Sequence, residues 1–212
     1  MNSMASLIDT PQLLALAAAL GWASGIRLYA AVLLVGMAGF LGWVNLPQGL
    51  HMLQHPGVLA ASGFMCFVEF FADKIPLVDS IWDMVHTVIR IPAGAALAAA
   101  AMGADGPTAT WVAAILGGSL AATSHAAKLT TRAAVNTSPE PFSNIAVSLF
   151  EDGLVVFMLW LAATHPTLFA IALAITLITA VVLMVVLFKF LLAVGRRLNR
   201  FFSSGPAPQE GL

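Results

Sequence analysis

Asp79, Asp83, His86 and Arg90 are spaced four, three and four apart, which on an α-helix lines all of them along one face. The chemistry available to that face is ion and proton handling. Carboxylates bind cations or protons, imidazole has its unperturbed pKa nearest neutrality, and a guanidinium stays charged. Glu69 and Asp73, four apart, form an acidic pair just upstream, whereas His125, Lys128 and Arg132, spaced three and four, form a basic face in the second half. Glu151 and Asp152 stand before Gly153 inside an apolar run. Adjacent side chains point about 100° apart on a helix, so at least one of these carboxylates is expected to face a cavity or a break. Arg27 and Lys74 complete the set.

These residues belong to a chain in which water is not the main solvent. Of 212 residues 60% are hydrophobic and 9% charged, with a mean hydropathy of +0.93, against about 25% charged residues in soluble domains. Leaving aside Asp105 and Glu140, which fall in turns, eleven ionic residues lie between Arg27 and Asp152. At about 2.5–3.5 kcal/mol each at mid-membrane, their gross cost would be roughly 30 kcal/mol. That exceeds the usual net stability of a fold, about 5–15 kcal/mol. They must pair, sit in water or lie at the interfaces, and the first two outcomes describe a polar cavity within the protein. A competing reading makes Asp79 a first-turn helix charge and lets Lys74 and Arg90 snorkel to the surface. His51, His55 and His165 lie beside turns and are expected at the surface.

The fold expected is all-α, a polytopic bundle of membrane helices with about five or six crossings plus broken or half helices. Gln12 to Val44 is apolar but too long for one straight crossing, and Gly21-Trp22-Ala23-Ser24-Gly25 before Arg27 predicts a half-helix, a break and a full helix. Gly57 to Ala72 is the next apolar run. Pro76 and Pro92 are each expected to open a helix, the favoured place for proline. Thr108 to Val135, Phe142 to Ala163 and Thr167 to Phe188 follow, the last without an ionisable group and long enough to span about 30 Å. One membrane domain is expected over residues 1–202, with halves 12–104 and 108–195, and a disordered tail over 203–212. A weak internal repeat of the halves is a further expectation, on Arg27-Leu28-Tyr29-Ala30-Ala31-Val32 beside Lys128-Leu129-Thr130-Thr131-Arg132-Ala133-Ala134-Val135, each followed by an acidic helix at Glu69 or Glu151. Paired repeats with broken helices are one architecture of secondary transporters.

Lys189, Arg196, Arg197 and Arg200 after the last apolar run predict a cytoplasmic C-terminus. No Lys or Arg precedes Arg27, so the first apolar segment is expected to be retained rather than cleaved as a signal. A formal charge of −1 offers no field for nucleic acid, and the lone Cys66 forms no internal disulfide.

Enzyme motifs are poorly matched. Asp79-x-x-x-Asp83 has Ile75 where intramembrane prenyl transferases carry Asn and where phospholipid alcohol transferases carry Gly. Zinc, nucleophile-elbow and phosphate-loop signatures are absent, and no cofactor is expected. Glu69-Phe70-Phe71-Ala72-Asp73-Lys74 is loosely similar to a cation and proton exchanger signature but has one residue too many and lacks its Gly. The segments Gly21 to Arg27, Ala72-Asp73-Lys74-Ile75-Pro76 with Asp79, Trp82-Asp83 and His86, and Ser124-His125-Ala126-Ala127-Lys128 with Arg132 together resemble a small bacterial membrane family catalogued as a domain of unknown function (DUF4126). The resemblance covers about residues 12–165 and implies a multi-pass membrane protein, in bacteria that of the inner membrane.

The function expected is secondary transport of an ion or small polar solute, coupled to protons or a cation. Glu69, Asp73, Asp79, Asp83, His86, Glu151 and Asp152 would form the ion-binding set, and Arg27, Lys74, Arg90, His125, Lys128 and Arg132 the charge-balancing or anion-binding set. Flipping of a lipid phosphate is the second expectation, and an intramembrane enzyme or a structural scaffold the third. The partners expected are the lipid bilayer and the carried ion or solute, with further copies of the chain left open.

Overall fold

A computed structural model describes residues 10–103, 106–137 and 141–203. The elements are α1 (Thr10–Phe40), a 3-10 helix (Gln48–Gln54), α2 (Pro56–Ala72), α3 (Val78–Ala101), α4 (Pro107–Val135), α5 (Pro141–Thr164) and α6 (Pro166–Ser203). No strand occurs among the described residues. By length and composition α1, α3, α5 and α6 can each cross a membrane, and the 3-10 helix with α2, bent by 67°, makes a fifth candidate. The count therefore sits at four or five, beside the five or six expected. The 29-residue α4 is long enough as well, but its second half carries His125, Lys128 and Arg132, all buried by other helices.

Helix α1 is broken as the sequence suggests, although at Arg27 (φ −142°, ψ 73°) rather than in the glycine-containing stretch before it. The chain doubles back there. Leu16 on the first leg and Leu34, Val35 and Ala38 on the second line one cavity with Leu159 and Trp160 of α5. On a straight helix Leu16 and Val35 would stand about 28 Å apart. Ala17 and Ala18 share a cavity with Ala98 and Met102, while Val32 shares another with Ala93 and Leu97. Both legs thus run from Arg27 toward the same end of α3, here called the lower end. The first leg is buried on nearly every side from Ala15 to Leu28, so it is the central post of the bundle, consistent with its small and apolar residues all round.

Two prolines act differently from the sequence expectation. Pro76 lies in the turn between α2 and α3, where Leu77 takes a left-handed conformation (φ 71°) and α3 begins at Val78. Pro92 opens no helix, because α3 runs through it to Ala101. Proline removes one amide donor, a loss that membrane helices tolerate when neighbouring groups re-satisfy the freed backbone. Beyond Pro92, Gly94, Ala98 and Ala101 are buried, and a methyl group on Gly21 would stand 2.7 Å from the Gly117 Cα. Small residues let α1, α3 and α4 touch backbone to backbone there. The opposite stripe of α3, with Val78, Ile81, Val85 and Ile89 at 42–63% exposure, faces outward.

Helix α6 extends to Ser203, well past Phe188. The expected tail otherwise falls on residues 204–212, outside those described, as do Asp105, Glu140 and residues 1–9.

Candidate functional site

The fold carries the charged residues to the upper half of the bundle, where α2 ends, α3 begins, α4 ends and α5 begins. Because α3 descends from that end while α4 ascends to it, the acidic face of one lies against the basic face of the other. Arg27, at the tip of the folded α1, enters from below. Four cations (Arg27, Arg90, Lys128, Arg132) and five carboxylates (Glu69, Asp73, Asp79, Asp83, Glu151) are buried together.

They form a chain of alternating sign. Glu69 pairs with Arg90 Nη2, and Arg90 Nη1 reaches Asp83 Oδ1 at 2.7 Å. Lys128 Nζ bridges Asp83 Oδ1 at 2.9 Å and Asp73 Oδ2 at 2.8 Å. Asp73 also pairs with Arg27 Nη1, and its backbone carbonyl accepts from Arg132 Nη1 at 2.9 Å. Arg132 Nη2 donates to Glu151 Oε2 at 2.7 Å, and Arg27 Nε stands 2.9 Å from Asp152 Oδ1. At the upper edge Asp79 accepts from Asn136 Nδ2 at 2.9 and 3.1 Å and lies 3.9 Å from Arg132 Nη1.

The pairing is incomplete on both sides: Nε of Arg90 and of Arg132 is buried without a hydrogen-bond partner, and so are several carboxylate oxygens. Glu69 Oε2, Asp73 Oδ1 and Asp83 Oδ2 are buried oxygens without a hydrogen-bond partner, on residues no more than 1% exposed. An unpaired carboxylate oxygen in a dry site is costly, and a proton or a cation is what would satisfy it.

His125 joins the cluster, with Nδ1 3.1 Å from the Gly25 carbonyl and 3.3 Å from Arg90 Nη1, and Nε2 2.8 Å from Thr87 Oγ1. His86 turns away from it: Nδ1 is 2.8 Å from the Trp82 carbonyl, Nε2 is 3.1 Å from the Tyr29 hydroxyl, and the ring stacks on Trp82. Lys74 stays at the rim, donating to the Phe70 carbonyl at 3.0 Å and Ser148 Oγ at 3.2 Å, with its ammonium over the Phe70 ring. His51, His55 and His165 are exposed, and His55 caps α2 by accepting from the Gly57 amide.

Neutral partners escaped the sequence reading. Arg27 Nη2 donates to Ser148 Oγ at 2.8 Å, and Arg132 Nη1 donates to Asn144 Oδ1 at 2.6 Å. Asn144, Ser148 and Glu151 are spaced four and three on α5, the same stripe that revealed the α3 face, and a search for polar rather than ionic residues would have found them. A cleft of about 290 Å³ between α1, α4, α5 and α6 includes Lys128 and Glu151 among otherwise mostly apolar walls. Among the described residues no group of three or more His, Cys, Asp or Glu side chains is arranged to hold a metal ion.

No curated protein and no solved structure matches the chain. The family described as "Domain of unknown function (DUF4126)" matches residues 14–186, which takes in all of the charged cluster and most of α6. With most of its length so matched, the chain belongs to that family.

Proposed function

We propose that the protein is a secondary transporter, coupled to protons or a cation, that moves an ion or small polar solute through the buried charged cluster. The observation that carries this reading is the surplus of buried carboxylate, five against four cations, together with the three unpartnered oxygens on Glu69, Asp73 and Asp83. A buried site of net negative charge is stabilised by taking up a positive charge, and giving that charge up again is the elementary step of cation or proton coupling. Intramembrane carboxylates in this setting mark ion and proton paths. The arginines add permanent positive charge beside the carboxylates, and His125, against Arg90, is the imidazole placed to pass a proton.

The distribution of basic residues supports one orientation. Arg27, Arg90, Lys128 and Arg132 sit in the cluster, and Lys74, Lys189, Arg196, Arg197 and Arg200 fall at or toward the upper end, while the connections at the lower end carry neither Lys nor Arg. By the positive-inside tendency the upper end and the C-terminus are cytoplasmic, in a bacterial inner membrane.

Protein reconstituted in liposomes should move protons against an imposed Na⁺ or K⁺ gradient, read by a trapped pH dye. Asp83→Asn should abolish that flux with the protein still folded, and undiminished flux in the variant removes Asp83 from the mechanism. The cleft beside Lys128 and Glu151 favours one second reading, translocation of a lipid phosphate. Movement of a labelled lipid phosphate without ion flux would select it.

A further inference from the structure

We propose that the cleft under α6 binds an amphiphilic monovalent cation, an organic ammonium with an apolar tail, which enters sideways from the bilayer. The inference rests on the transport reading above and names its substrate class.

The cleft, about 290 Å³, is floored by the first leg of α1 at Trp22 and Ile26 and walled by α4, α5 and α6. That places it at the small end of ligand pockets, about 300–1,000 Å³. Phe150 on α5 and Ile175, Thr179 and Leu183 on α6 line it and are exposed. The three on α6 belong to the run 167–188, which is long enough to span the hydrocarbon. The opening therefore faces lipid rather than water.

The polar groups in the cleft offer acceptors. Ser124 Oγ donates to the Trp22 carbonyl at 2.7 Å and Thr176 Oγ1 to the Ala172 carbonyl at 2.7 Å, so each hydroxyl presents oxygen lone pairs to a ligand. In the run 168–188 of α6, Thr176 and Thr179 are the only polar side chains, and both line this cleft. Glu151 is the least buried of the five clustered carboxylates, 7% exposed against 0–1% for the others. Its Oε2 accepts from Arg132. Its Oε1 takes no bond from a described residue and, unlike the second oxygens of Glu69, Asp73 and Asp83, is not sealed inside the protein.

Charged donors are missing from the same walls. Lys128 Nζ has three acceptors within 3.2 Å, Asp73 Oδ2, Asp83 Oδ1 and the Ile26 carbonyl, one for each of its hydrogens. No arginine lines the cleft. A phosphate is held by charged donors and finds none free here. A cation instead meets Glu151, two hydroxyl oxygens and the ring of Phe150, with Ile175 and Leu183 left for an apolar tail.

The test uses the full-length protein in nanodiscs and radiolabelled hexyltrimethylammonium, whose charge is permanent, counted above empty nanodiscs. The probe should bind saturably, and hexyl phosphate should compete at least about tenfold more weakly than unlabelled probe. Glu151→Gln should weaken binding about tenfold or more. Leu183→Trp narrows the exposed mouth without touching a charge and should also weaken it; this variant decides should the Gln variant fail to fold. Absent binding, equal competition by hexyl phosphate, or unweakened binding in the deciding variant overturns the assignment. In wild-type liposomes a gradient of the probe should drive protons the opposite way, read by a trapped pH dye. Saturable binding without proton movement upholds the site and overturns the transport reading, whereas Na⁺- or K⁺-driven proton movement without probe binding does the reverse.

Discussion

Above Arg90, helices α1, α3 and α4 are held by long charged side chains; one turn below, at Gly94, they close to backbone contact. A methyl group on Gly94 would stand 2.6 Å from the Ala121 Cβ, and one on Gly117 would stand 2.7 Å from the Gly94 carbonyl oxygen. The upper half is held by directional pairs whose partners each depend on another, and the lower half by dispersion between small groups at close range. All the unpartnered buried side-chain nitrogens and oxygens found among the described residues lie in the upper half or at its edge. The closely packed half can therefore act as the fixed frame, and the charged half as the part whose state can change.

Four substitutions would break or sharpen that contrast. Arg90→Ala strands Glu69 and leaves Asp83 with Lys128 alone in a site with 0–1% exposure, and should cost about 3–5 kcal/mol in unfolding measured in detergent. A loss below about 1 kcal/mol would mean that the charged half does not depend on its pairing. Gly117→Ala should cost about 1–3 kcal/mol by overpacking against Ala98 and Gly94, seen as a lower melting temperature; an unchanged melt would show that the lower contact yields easily. Asn136→Ala removes two hydrogen bonds from Asp79 at the partly exposed upper edge, and about 1 kcal/mol should be lost. Gly153→Ala lies on α5 with no atom within 4 Å of the added methyl. It should gain about 0.5–1 kcal/mol, and a loss there would reveal a close neighbour in the folded protein.

The sequence made the ionic stripes legible because helical spacing is local. Asp79, Asp83 and Arg90 needed only their four- and seven-residue separations to be placed on one face, and His125, Lys128 and Arg132 likewise. Which stripe meets which was not legible, since the pairing of Lys128 with Asp73 and Asp83 depends on the run of α3 against α4. His86 shares its spacing with the acidic face yet turns to Tyr29, because the edge of a stripe can face a neighbour other than its centre does. The break in α1 was legible, but its place was not: glycines signal permissive backbone, and here they serve close approach, while the departure from helix falls on Arg27, whose side chain is held by Asp73 and Ser148. Pro92 misled for the opposite reason, since its local preference for a helix start gave way to packing along the whole of α3.

The folded tip of α1 bears on how the protein is made. Arg27 is bonded to Asp73 and Ser148, which follow it in the chain by 46 and 121 residues. When the ribosome has produced only the first two hydrophobic legs, none of the groups that neutralise this guanidinium exists. The hairpin must wait at the bilayer surface or in a protected channel until α2 to α5 have emerged. Its docking is therefore a late event in biogenesis, and a nascent chain truncated before Asp73 should leave residue 27 accessible to water-soluble labels.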